Sequence, residues 1–189
     1  MPVSTRTKPP REHLLEVVSG LFYREGINSV GIDRIVRDAG VTRATLYRHY
    51  PGKEALVVAY LERADAAIRG ELERGAAQTV SAEHMLEAVL EGIADEATRY
   101  HTRGCPFINA AAEFPDAASP VRRVISGHRT WFKDFLIHCL ENAGRVDPED
   151  TADALVLLRD GVLVGSYLDD ASKARLAFLR VARSIAGLR

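Results

Sequence analysis

The side chains best placed for chemistry lie in one short segment, AGVTRATLYRHYPGKEAL, from Ala39 to Leu56. Leu46 and Tyr50 are four apart, so on a helix they share one face and point inward. Arg43, Ala44, Tyr47 and Arg48 are then left pointing outward. The Thr42 hydroxyl and the first amides of such a helix suit an anion. Arg43 has the reach and the forked donors for a guanine edge or a phosphate in a major groove. Lys53, in the first turn beyond, supplies a further phosphate contact. The chemistry offered is recognition of a polyanion. On spacing alone a second account stays open, a helical hairpin whose Arg, Tyr and Lys form a solvated face.

Bond-making chemistry finds little support. The sequence has no G-x-S-x-G, H-E-x-x-H, P-loop or dinucleotide glycine fingerprint. His101 and Cys105 are spaced i, i+4 with Glu113 nearby, but Gly104 and Pro106 break the helix a metal pair would need. No catalytic residue, metal or cofactor is therefore expected. Cys105 would serve as a thiol sensor if Arg103 and a helix N-terminus lowered its pKa, and is inert if buried. Cys139, among Leu136 and Leu140, reads as core. Two cysteines are too few for a disulfide framework, and the polar start MPVSTRTKPPREH has no apolar segment of a secretory leader. The expected compartment is the cytoplasm, with no membrane partner.

The elements that must position these residues are all helical. The 189 residues are 47% hydrophobic and 27% charged, a globular balance. Charge is uneven: residues 1–55 hold nine Lys/Arg against six Asp/Glu, and residues 56–189 hold sixteen against twenty. A basic head on an acidic body suits a head that meets an anionic partner. About nine helices are predicted. The first opens at Pro9-Pro10 and runs to Gly26, the second covers Ile32 to Asp38, and the third runs from Thr42 to about His49. Ala39-Gly40-Val41 forms the joint of a helix-turn-helix. A long helix follows from Gly52-Lys53 to a loop at Gly75, then one from Ser81 to about Tyr100. A short helix carries Phe107, Ile108 and Phe114. Ser119-Pro120 and Asp147-Pro148 are cap-plus-proline starts for helices reaching Gly144 and about Asp169. A last helix spans roughly Ala171 to Ala186. This gives an all-α chain with a head, residues 1–55 including a flexible basic arm 1–8, and a body, residues 56–189.

The string DRIVRDAGVTRATLYRHYPGKEAL closely resembles the DNA-binding head of the tetracycline-repressor-like (TetR) family of transcriptional regulators. The pattern A-G-V-[ST]-x-x-x-[LI]-Y-x-[HY]-[FY]-x-x-K-E-x-L is matched nearly throughout, LFYREG and Ile35 fit the preceding elements, and RGCPFINAAAEFPD (103–116) resembles a segment of one subgroup. The resemblance implies a homodimeric repressor released from a palindromic operator by a small hydrophobic ligand. It assigns Arg43, Ala44 and Arg48 to base edges, and Thr42, Thr45, Tyr47, His49 and Lys53 to phosphates. Two positions depart from the pattern. Gly31 stands where a Ser or Thr usually caps the first of the two helices, and Val36 replaces the usual small alanine. An all-α interaction protein or an enzyme using the helix-turn-helix as scaffold is the alternative.

The body offers Met85, Ile93, Tyr100, Phe107, Phe114, Trp131 and Phe135 as apolar walls for a ligand, with Asn109, Glu113, His128 or Arg129 to orient it. The ligand set is Tyr100, Phe107, Asn109, Glu113, His128, Trp131 and Phe135, against the alternative that these aromatics are plain core. The last two helices are apolar over too wide an arc for one side to bury. They are expected to pair two subunits through Leu158, Gly161, Val162, Gly165, Phe178, Leu179 and Ala182.

Overall fold

The structure is a computed structural model that describes residues 9–77, 80–100 and 102–188, with the side chains of Ala76, Ala77 and Tyr100 outside the description. The basic arm 1–8 also lies outside the described residues. Among the described residues nine α-helices follow in order: α1 (Pro10–Glu25), α2 (Ile32–Asp38), α3 (Arg43–His49), α4 (Lys53–Ala77), α5 (Ala82–Asp95), α6 (Pro106–Glu113), α7 (Pro120–Asn142), α8 (Pro148–Leu168) and α9 (Ala171–Ile185). Among the described residues no strand occurs, and no helix is long and apolar enough to cross a membrane.

Local chemistry explains most boundaries. Gly26 ends α1 with φ 90°, a conformation that costs glycine little. The turn between α2 and α3 is a Schellman closure: the Gly40 amide donates to Arg37 O at 3.2 Å and the Val41 amide to Val36 O at 3.0 Å, with Gly40 at φ 63°. The hydroxyls of Thr42, Ser81 and Ser119 accept from the amides three residues on and cap α3, α5 and α7.

Three boundaries differ from the sequence pattern. Helix α4 runs through Gly75 to Ala77, because glycine inside a helix costs only about 1 kcal/mol relative to alanine and does not stop it. Helix α5 ends at Asp95 and continues as a π turn, Glu96–Tyr100, within which the Thr98 hydroxyl donates back to Ala94 O at 2.9 Å. Asp147 does not cap α8 with its side chain, since its backbone is left-handed at φ 55°.

Helices α1 to α3 form the head, whose core includes Leu14, Val18, Ile35, Leu46 and Tyr50. Helix α4 belongs to both parts. Its first turns carry Leu56, Val57 and Leu61, fully buried, and Tyr60 meets the Phe22 ring edge-on at 6.0 Å. A boundary at residue 55 therefore falls inside a continuous helix. Beyond it, α5, α7, α8 and α9 pack around an apolar centre that contains two buried polar residues, His128 and Arg159, each 2% exposed.

Those two are held differently. His128 Nδ1 lies 2.7 Å from Asp65 Oδ1 and its ring stacks on Phe107 at 3.8 Å with 2° between planes. Burial holds its pKa below the usual 6.5, against the opposing pull of the Asp65 hydrogen bond. A depressed histidine pKa means the unfolded chain binds the extra proton first as pH falls. Stability from neutral His128 is thus complete above about 6.5 and declines as pH drops below it. Thermal unfolding should show a lower midpoint at pH 5 than at pH 7, and His128→Gln should flatten that dependence. An unchanged pH dependence in the variant would assign it to other groups.

Arg159 donates through Nη2 to Glu96 Oε1 at 2.9 Å and lies over the Phe132 ring at 4.8 Å. Glu96 is the first residue of the π turn.

Candidate nucleic-acid interface

Helix α3 turns Leu46 and Tyr50 into the head and leaves Thr42, Arg43, Ala44, Tyr47 and Arg48 exposed on one face. Thr45, His49 and Lys53 are half-buried around it. The eight residues that the sequence nominates for DNA therefore surround a single short helix. Its inner side is fixed from α1: His13 Nε2 lies 3.2 Å from Ala39 O, and the Tyr50 hydroxyl donates to Arg11 O at 3.4 Å. Burial raises the Tyr50 pKa, so the phenol stays a donor.

Two features shape the electrostatics of this face. Arg43 Nε donates to Asp33 Oδ1 at 3.0 Å, so α2 holds its guanidinium beside the open surface. Asp33 is itself exposed, and a pair this open contributes little to stability and gives way readily to a phosphate or a base. Partial burial pulls the Lys53 ammonium below its usual pKa, with Glu113 acting in the opposite sense. At Gly31 a Cβ would meet nothing within 4 Å, so the missing hydroxyl leaves the backbone of α2 undisturbed. Val36 is half-buried against the core at the crossing of α2 and α3.

The residues nominated for a ligand divide into two groups. Phe107, His128, Trp131 and Phe135 are packed together, with Trp131 5.7 Å from Phe135 and beneath the Arg69 guanidinium at 4.1 Å. Asn109 and Glu113 lie elsewhere, along a recess of about 220 Å³ with Arg103, Ala112 and Tyr167. Asn109 Nδ2 donates to Arg103 O at 3.0 Å. Glu113 accepts from the main-chain amides of Ile27 at 2.8 Å and Asn28 at 2.5 Å, just past α1. Tyr100 falls outside the described side chains.

Glu113 is thus half of a clasp between head and body, and Tyr23 of α1 is the other half. The Tyr23 hydroxyl accepts from the Arg103 amide at 2.8 Å and donates to Gly104 O at 3.1 Å, and Arg103 Nη1 donates to Tyr23 O at 2.9 Å. The sequence gives no sign of Tyr23 and Arg103 as partners, because they are eighty residues apart. Cys105, next to this clasp, is 1% exposed and burial raises its thiol pKa, which keeps it protonated and inert.

A cleft of about 230 Å³ opens instead between α4 and α5, lined by Ile68, Glu71, Leu72, Gly75, Ala88, Val89, Gly92, Ile93, Asp95 and Glu96. Of the nominated wall residues whose side chains are described, only Ile93 lines it.

Most of the residues nominated for the interface are buried within a single chain. Val162, Phe178, Leu179 and Ala182 are at most 5% exposed within a single chain, where α8 and α9 bury them against the body. Leu158 is half-buried, and a Cβ at Gly165 would stand 4.0 Å from Ala174 of the same chain. The outward apolar stripe of α8 is one position away: Leu157 at 71% exposure, Gly161, Val164 and Leu168; on α9, Leu176, Val181 and Ile185 are exposed. Gly161 is the one nominated residue on the stripe, with nothing within 4 Å of its Cβ position.

Comparison with known proteins agrees with this architecture. Residues 14–60 match the model of bacterial regulatory proteins of the tetR family, and residues 82–181 match the tetracyclin repressor-like C-terminal domain. A TetR-family transcriptional regulator from Streptomyces coelicolor is 40% identical, with 94% of each chain covered and a TM-score of 0.90. A tetR-type regulator from Streptomyces avermitilis is 26% identical over 96% of this chain and 100% of its own, with a TM-score of 0.81. The HTH-type transcriptional regulator AcrR of Shigella flexneri is 38% identical over 63 residues, which is 33% of this chain and 29% of that protein. The chain spans between 29% and 56% of the length of the curated relatives it matches. With both halves matched and the helix-turn-helix in place, the chain belongs to the TetR family of transcriptional regulators, and its head is that family's DNA-binding domain.

Proposed function

We propose that the chain acts in the cytoplasm as a homodimeric repressor, bound to a palindromic operator and released from it by a small, largely apolar ligand. The observation that carries this reading is α3, a capped helix whose inner face is fully buried and whose outer face presents Arg43, Ala44, Tyr47 and Arg48. One such helix reads only a few base pairs, so two must be held about 34–36 Å apart to meet successive major grooves. The stripe from Leu157 to Leu168 with Leu176, Val181 and Ile185 supports a symmetric four-helix pairing that would hold them so.

A gel shift on the DNA beside the chain's own gene, with competitor DNA and varied salt, tests the reading. Arg43→Ala should weaken the specific complex by about 1–3 kcal/mol and relax preference at one operator position. Lys53→Ala should weaken all sequences alike and lower the salt slope by about one. A parent protein that gives no competition-resistant shift would remove the reading. An Arg43→Ala variant with unchanged affinity and preference would remove Arg43 from the base-reading set.

A further inference from the structure

We propose that the cleft between α4 and α5 takes a small lipophilic cation, an amine or ammonium with a short hydrocarbon body; this rests on the ligand-responsive reading above and names the ligand's class. The cleft exists because of what the sequence leaves out. Gly75, Ala88 and Gly92 line it, positions at which larger side chains would fill the space between the helices. A Cβ at Gly75 would meet nothing within 4 Å, and one at Gly92 would reach only Leu72 Cδ2, at 3.9 Å. Ile68, Leu72, Val89 and Ile93 make the remaining walls apolar, which suits a hydrocarbon body.

The charge in the lining has one sign. Among the described residues, Glu71, Asp95 and Glu96 are its ionisable residues, and no Lys, Arg or His lines it. Glu96 is held by Arg159 at 2.9 Å, and Asp95 by Arg175 at 3.4 Å and Arg99 at 3.6 Å, residues that are not part of the lining. Glu71 makes no ion pair among the described residues. An anionic head entering the cleft would meet these three carboxylates. An uncharged one would gain apolar contact alone, and a cation would gain Glu71 as well. The two carboxylates at the far end are placed by the change of helix pitch, since Asp95 closes α5 and Glu96 opens the π turn. Helix irregularities of this kind recur at functional sites.

The experiment is calorimetric titration of the full chain with hexyltrimethylammonium, heptanoate and heptan-1-ol, three probes of similar length that differ in charge. The cation should bind about tenfold more tightly than the anion, with the alcohol between them. Glu71→Gln should lower cation affinity about fivefold, a modest factor because Glu71 is exposed and screened, and leave the alcohol unchanged. Glu71→Lys should move the preference toward the anion. Gly92→Leu puts a side chain in the cleft without removing a charge and should abolish binding of all three, with an unchanged circular dichroism spectrum showing that the helices remain. Equal binding of the probes, preference for heptanoate, or binding that survives Gly92→Leu would overturn the proposal. Operator binding is read separately by gel shift. A cation that binds as expected but leaves the operator complex intact keeps the cleft's ligand class and removes its role as inducer. A parent chain that binds the cation and no operator leaves the cleft standing and removes the repressor.

Discussion

Arg159→Met should destabilise the protein by about 3–5 kcal/mol, the range found when one member of a buried ion pair is removed. Arg159 is 2% exposed, and its guanidinium holds Glu96 at 2.9 Å. Methionine fills most of the same volume, so the loss measures the broken ion pair more than a cavity. Glu96→Gln in the Arg159→Met background should recover a large part of the loss, because it removes the buried charge and keeps a polar group at the π turn. Urea unfolding at one fixed protomer concentration gives the measurement, with an unchanged slope showing that the midpoint shift is a stability change. A midpoint within error of the parent for Arg159→Met would mean that Glu96 is neutral or finds water, and that the pair does little for stability.

Val164→Glu should convert a dimer into a monomer and reduce operator affinity by about 10²–10⁴-fold, the advantage gained when a second site binds as part of the same molecule. Val164 is 39% exposed in the isolated chain, in the middle of the stripe made by Leu157, Gly161 and Leu168. In a two-fold interface a single substitution places the new carboxylate on both sides, so two like charges meet near the axis. The isolated subunit has room for the glutamate, and its helical signal should persist. Sedimentation gives the oligomeric state and fluorescence anisotropy on a labelled operator gives the affinity. A dimeric Val164→Glu variant with normal operator binding would place the interface elsewhere.

The head was legible because its determinants are local. Thr42 caps, Gly40 supplies the positive φ, and Leu46 with Tyr50 sets the inward face, so the segment from Gly40 to Tyr50 gives α3 both its boundaries and its orientation. The body was legible in its helices and less so in its surfaces. On α8 the apolar arc is continuous from Ala154 to Leu158 and again from Gly161 to Gly165. Periodicity alone therefore does not separate Val162, which faces the chain's own core, from Gly161 beside it, which faces outward. Arg159 reads along the sequence as a polar stop in an apolar run, and only its distant partner Glu96 explains its burial. The α4–α5 cleft is marked by side chains that are missing, a signal that pattern reading for large residues passes over. The hold of Glu113 on the amides of Ile27 and Asn28 was not legible, because main-chain partners leave no trace in residue type.

That last contact bears on how such a molecule changes its target over generations. The carboxylate of Glu113 grips peptide N–H groups, which every residue but proline carries, and it does so at the end of α1, away from α3. Substitutions that retune α3 for a new DNA sequence therefore leave this grip as it was. The contact between body and head thereby depends on neither the side chains of Ile27 and Asn28 nor those on the outer face of α3.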